Sequence, residues 1–156
     1  MRAGFSALEL VLVVALFGVI VAVTTVPLYS FQTRNALEDG LTGVVDVIRR
    51  AETQALSGHF GDRWGVHFSE TDGCALPTTK YHIFRGASFT SATDTLDTFD
   101  LPSNVTVTGV DVGGGCDVTF TRFHGAAAST GSITLTGVDS ATRTVIINAY
   151  GRVVAE

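Results

Sequence analysis

Basic residues are scarce in this chain of 156 residues. One lysine, Lys80, and nine arginines stand against fifteen acidic side chains, for a net charge of −5. Arg49–Arg50 is the only adjacent basic pair, and it reads as solvated or as paired with Asp46 one helical turn earlier. With no basic stripe the chain lacks the electrostatic footprint of a polyanion binder, so nucleic acid is not an expected partner. Cysteine is nearly as rare: Cys74 and Cys116 are the only two, with no C-x-x-C or His–Cys grouping to suggest zinc. The four histidines, His59, His67, His82 and His124, include no H-x-x-x-H or H-E-x-x-H spacing. There is no G-x-S-x-G elbow and no G-x-x-x-x-G-K phosphate loop. Asp94, Asp97 and Asp100 recur every third residue outside any EF-hand pattern, and read as a solvated acidic loop. Gly113–Gly115 reads as a hairpin tip beside Cys116. No catalytic residue, metal site or cofactor is assigned, and the chain is read as a non-enzyme.

What is present in excess is apolar character, and it is unevenly spread. The segment Phe5–Val23, FSALELVLVVALFGVIVAV, carries Glu9 as its only charge, whereas the chain beyond residue 30 has ordinary globular composition rich in Gly, Thr and Val. A conventional signal peptide would be cut after such a core, with Ala22 as a weak candidate small residue. A plain transmembrane anchor needs about 20 apolar residues. Neither reading accounts for Glu9, because a carboxylate inside an apolar span costs about 2.5–3.5 kcal/mol even on lenient insertion scales.

Beyond the apolar run, Pro27 removes a helical hydrogen bond and invites a kink. Leu37, Leu41, Val44, Val45, Ile48, Ala51 and Ala55 then recur at helical spacing, with Arg34, Glu38, Asp46, Arg49 and Glu52 on other faces. Gly40 and Gly43 weaken this stretch unless close packing requires them. Gly58 is a natural stop. A continuous helix from Phe5 to Ser57 would reach about 80 Å. From Arg63 the pattern changes to Thr/Val/Ile/Phe-rich runs separated by Gly or Pro, namely RWGVHF, KYHIFR, NVTVTGV, CDVTFTRF, GSITLTG and RTVIINAYGRVV. The expected fold is α+β: a long N-terminal helix, transmembrane in its first half and amphipathic in its second, packed on a C-terminal antiparallel sheet or sandwich. In an oxidising compartment Cys74 and Cys116 form either a disulfide or two independent buried thiols.

The first ten residues, MRAGFSALEL, resemble the leader of type IV pilins and type II secretion pseudopilins. In that pattern a short basic leader ends in Gly, and Phe, a small or hydroxyl residue, two mostly apolar residues and Glu follow; Gly4, Phe5 and Glu9 match, with Arg2 as the leader's charge. The resemblance implies that a prepilin peptidase cuts between Gly4 and Phe5 and N-methylates Phe5, so the apolar segment is retained. Glu9 would then set register by pairing with the Phe5 amine of a neighbour. The ending TVIINAYGRV resembles the H-type minor pseudopilins, the GspH/FimT family, which close with a strand followed by Gly-Arg-Val, here Gly151, Arg152 and Val153. An ordinary strand and turn would give the same three residues.

These resemblances imply a leader at 1–4, a transmembrane assembly helix at 5–26, an amphipathic continuation at 27–57 and an antiparallel β domain at 58–156. They imply a single-pass protein of the inner membrane whose C-terminal domain lies in the periplasm or outside the cell. Its partners would be other pilin or pseudopilin subunits, the prepilin peptidase and an inner-membrane assembly platform. The implied role is a non-catalytic minor pseudopilin of a type II secretion-like filament. A minor or major type IV pilin, serving adhesion, motility or DNA uptake, is the alternative within that class. A membrane-tethered exported enzyme or binding module is the alternative outside it.

Overall fold

The computed structural model describes the backbone of residues 6–113 and 115–156, and their side chains except those of 23–31 and 59. Helix α1 spans Ala7–Ser57, 51 residues, about 75 Å of rise. Its start is set by Ser6, which has an extended backbone and whose side-chain oxygen accepts the Leu8 N–H at 3.4 Å. Its end is set by Gly58 in the left-handed conformation, φ 64°, with its N–H returned to Ala55 O. A 3₁₀ turn, His59–Gly61, follows. The backbone is α-helical through position 27; the kink expected at Pro27 falls among side chains outside the described residues. Among the described residues, no helix is long and apolar enough to cross a membrane.

Among the described residues eight strands follow: β1 Trp64–His67, β2 Lys80–Arg85, β3 Asp94–Asp100, β4 Val105–Val112, β5 Asp117–Phe120, β6 Gly131–Gly137, β7 Thr142–Ile147 and β8 Val153–Ala155. They form two antiparallel sheets, ordered β3-β2-β1-β5 and β4-β6-β7-β8. A bridge between Thr78 and Val107 joins the approach to β2 to β4, and so one sheet to the other. The fold is α+β, with the C-terminal half of α1 packed on both sheets.

The packing follows the periodicities. Leu37, Leu41, Val44, Val45, Ile48, Ala51 and Ala55 are all buried, and they meet Trp64, Val66, Phe68, Phe120, Ile133 and Leu135 in one core. In β6 the alternation places Ile133 and Leu135 inward, while the partly exposed Thr134 and Thr136 lie between and beyond them. Gly40 lies where the helix comes closest to the start of β4: a Cβ there would meet Val105 at 3.3 Å and Leu101 at 3.5 Å. Gly40 therefore sits in close packing against the residues around the start of β4.

Two local expectations are revised. Asp94–Asp100 is an edge strand and not a loop. Thr95, Leu96, Thr98 and Phe99 supply strand propensity between the acids, and Phe99 stacks on Tyr81 of β2 with ring centroids 5.4 Å apart. Arg50 pairs with Asp97 of that strand at 2.9 Å, across to the sheet, and not with Asp46 along the helix. The C-terminal run RTVIINAYGRVV divides into β7, a turn and β8.

Cys74 and Cys116 are disulfide-bonded, with Cα atoms 5.3 Å apart. The bond ties the loop after β1 to the residue that precedes β5, at a sequence separation of 42. Replacing both cysteines by serine is expected to lower the unfolding free energy by up to about 4 kcal/mol, by releasing the unfolded loop. Urea denaturation of the two forms measures this; an unchanged midpoint would contradict it.

Candidate assembly site

From Ala7 to Ala22 every side chain of α1 is exposed. Leu8 is 75%, Phe17 64% and Leu12 60% accessible, and exposed apolar residues occupy all sides of the helix. Coverage by the domain is in place by Thr33 and Leu37. A helix that is apolar all round belongs in lipid or among like helices, not in water. Glu9 sits in its first turn, where the unpaired N–H groups favour a negative charge. Ser6 and Glu9 also stand in the S-x-x-E order of a capping box. No cation lies within 4 Å of Glu9 among the described residues. Gly4 and Phe5, the expected cleavage and methylation positions, lie outside the described residues.

The far end of α1 carries the second group of expected residues. Gly151 and Arg152 end the turn that leads from β7 into β8, and Val153 is the first residue of β8. Asn148 organises that turn: its side-chain oxygen accepts the Tyr150 N–H at 3.0 Å and the Arg152 N–H at 2.9 Å, and its carbonyl accepts the Gly151 N–H at 3.0 Å. Gly151 has φ 81° and is buried, and a Cβ there would collide with the Gly125 carbonyl oxygen and meet Glu52 Oε1 at 3.1 Å. Only glycine fits. Arg152 is exposed and lines an open groove of about 640 Å³ with Arg49, Glu52, Thr53 and Tyr150. Burial holds the Glu52 carboxyl above its ordinary range, an effect the positive charge of Arg49 opposes.

The residues that sequence reasoning missed lie in the turn after α1 and in the loop after β5. Phe60 and Phe123 both have positive φ, 57° and 64°, and both rings are exposed, 63% and 58%. A left-handed backbone at a bulky residue costs of order 1–3 kcal/mol. The guanidinium of Arg85 lies 4.7 Å from the Phe60 ring centre, and that of Arg122 lies 4.2 Å from the Phe123 ring centre. Phe123 packs against Gly58 at the helix end, and its N–H donates to Ala55 O at 3.0 Å. The signal in the sequence was a phenylalanine set against glycine in a polar loop, GHFGD and RFHGA.

His67 and His82 make structural contacts. His67 is buried, its Nδ1 lies 2.6 Å from Asp117 Oδ1, its Nε2 lies 2.8 Å from Thr71 O, and its ring stacks on Phe89 at 4.1 Å. Asp117 also accepts the Phe89 N–H at 2.8 Å, so the pair pins the loop between β2 and β3 to β5. His82 Nδ1 is 2.9 Å from Thr98 Oγ1; burial, followed by the charge of His67, holds its imidazole below the ordinary histidine range. No group of three metal-ligating side chains occurs among the described residues.

Gly151→Ala is expected to destabilise the domain by about 2–4 kcal/mol, through an unfavourable φ and collision with the Gly125 backbone. Urea unfolding provides the measurement, and a loss below about 0.5 kcal/mol, the size of an ordinary surface substitution, would contradict this account of the turn.

Comparison of the chain with protein-family models, with curated proteins and with solved structures found no match.

Proposed function

We propose that this chain is a non-catalytic structural subunit of a helical filament, a minor pseudopilin of a type II secretion-like system. The single observation that supports it best is the surface of α1 between Ala7 and Ala22, apolar on all sides and left uncovered by the chain's own domain. Burying a Leu, Val or Phe side chain is worth about 1.5–3 kcal/mol, and this stretch exposes eleven large hydrophobic side chains from Leu8 to Val21. A surface of that kind must lie in lipid or against its like. In sequence the apolar run begins at Phe5 and continues through Val26, which brings it to the length of a membrane crossing.

In this reading a prepilin peptidase cuts between Gly4 and Phe5 and methylates the new Phe5 amine. The subunit then waits in the inner membrane with its disulfide-bonded domain on the oxidising side. The assembly platform draws it into a filament whose centre is a bundle of these helices. There the Glu9 carboxylate neutralises the Phe5 amine of a neighbour. An unpaired charge in an apolar bundle costs several kcal/mol, so subunits that are out of register are rejected. The sheets face outward, and the role requires no reaction at any side chain.

Mass spectrometry of chain isolated from membranes is expected to show a polypeptide beginning at N-methylated Phe5. A terminus at Met1, or one beyond Ala22, would defeat the proposal. Glu9→Leu is expected to insert in the membrane as the parent does and to lose filament incorporation, measured by sedimentation of sheared filaments. Normal incorporation would overturn the register argument.

A further inference from the structure

The end of the domain farthest from the projecting helix has no role in the proposal above. It combines two exposed phenylalanines in a costly backbone conformation with arginines stacked on them. Leu56 adds to the same surface: it is 45% exposed and packs against Gly125, two residues beyond Phe123. Arg85 has a carboxylate, Asp62, at 3.8 Å. Arg122 has none within 4 Å among the described residues. Aromatic rings with arginine, set among apolar contacts, are the composition of protein-binding hot spots. Phe60 and Phe123 keep a positive φ although both rings are exposed, and backbone strain of this kind collects at functional sites.

We propose that this surface, formed by Leu56, Phe60, Phe123 and Arg122, docks the acidic edge strand β3 of a second copy of the chain. Charge and shape on the same molecule supply the argument. β3 is an edge strand, paired only with β2, and its outer backbone groups are open. Its Asp97 is held by Arg50, while Asp94 and Asp100 are exposed with no cation within 4 Å among the described residues. Between them Leu96 is 39% exposed, an apolar anchor flanked by carboxylates. Asp94 is the cross-strand neighbour of Arg85, so strand and surface lie side by side on one molecule. Because β2 holds β3 in its sheet, the strand cannot fold back onto its own surface, and only a second copy can supply it. In a filament the surface of one copy would take the strand of the next, a heterologous contact that repeats. The choice of a second copy rests on the filament reading; the surface itself does not.

The test uses full-length chain in detergent micelles and a fluorescein-labelled peptide of residues 93–101, followed by anisotropy. Saturable binding is expected, about tenfold weaker for Phe123→Gly, the loss expected of one hot-spot side chain. The thermal midpoint of that variant should hold or rise, because glycine accepts the positive φ. A peptide with Asp94, Asp97 and Asp100 changed to Asn should not bind. In membranes, copies bearing Leu96→Cys should form disulfide-linked dimers with copies bearing Phe60→Cys. Equal binding by Phe123→Gly or by the Asn peptide, or absence of both peptide binding and cross-linked dimers, overturns the proposal. Glu9→Leu should bind the peptide as the parent does, so this result and the failure of the filament reading are separable.

Discussion

A single helix has to satisfy two surroundings, and the rest of the molecule is arranged around that demand. Along its second half α1 carries one apolar stripe, Leu37 to Ala55, and the two sheets exist to cover it. Along the described part of its first half the apolar residues go all the way round, and nothing in the domain reaches them. No rearrangement of eight short strands could cover both. The division between chain-internal core and exposed apolar surface is therefore written into helical periodicity, before any tertiary contact forms.

That division was legible because it depends on patterns of period 3.6 and 2. The positions expected to be buried on the helix are buried, Gly58 ends it, and the β-rich half forms antiparallel sheets. The acidic segment at 94–100 was misread because charge was weighed above strand propensity. On this edge strand every residue except the half-buried Phe99 is exposed, so aspartates every third residue cost little. The Arg50 partner was misread for a related reason: spacing along a helix identifies Asp46, whereas only the tertiary arrangement brings Asp97 near. Spacing alone left the state of the cysteines open, since loop length says nothing about whether two Cβ atoms approach.

Of the candidate site, the N-terminal half was readable from composition and the distal half was not. Gly151 could be noted as part of a short pattern, but its reason, the Gly125 carbonyl lying where a Cβ would be, comes from a contact across 26 positions of sequence. Phe60 and Phe123 carry no local pattern strong enough to predict positive φ, because most residues in that region are glycine or asparagine. The histidines show the same limit. Their spacing along the chain points to no site, and it is the tertiary arrangement that shows the His67–Asp117 pair fastening a loop to the sheet.

The continuity of α1 has a mechanical consequence. Tension applied at the N-terminal end travels along one continuous helix, short only of the backbone hydrogen bond that Pro27 cannot donate, into the centre of the domain. There it meets side chains from both sheets, which must slide past the helix together and cannot detach one after another. The Arg50–Asp97 and Arg143–Glu38 bridges cross the same sliding plane. A body gripped in shear along its own axis can be hauled by its tail without coming apart.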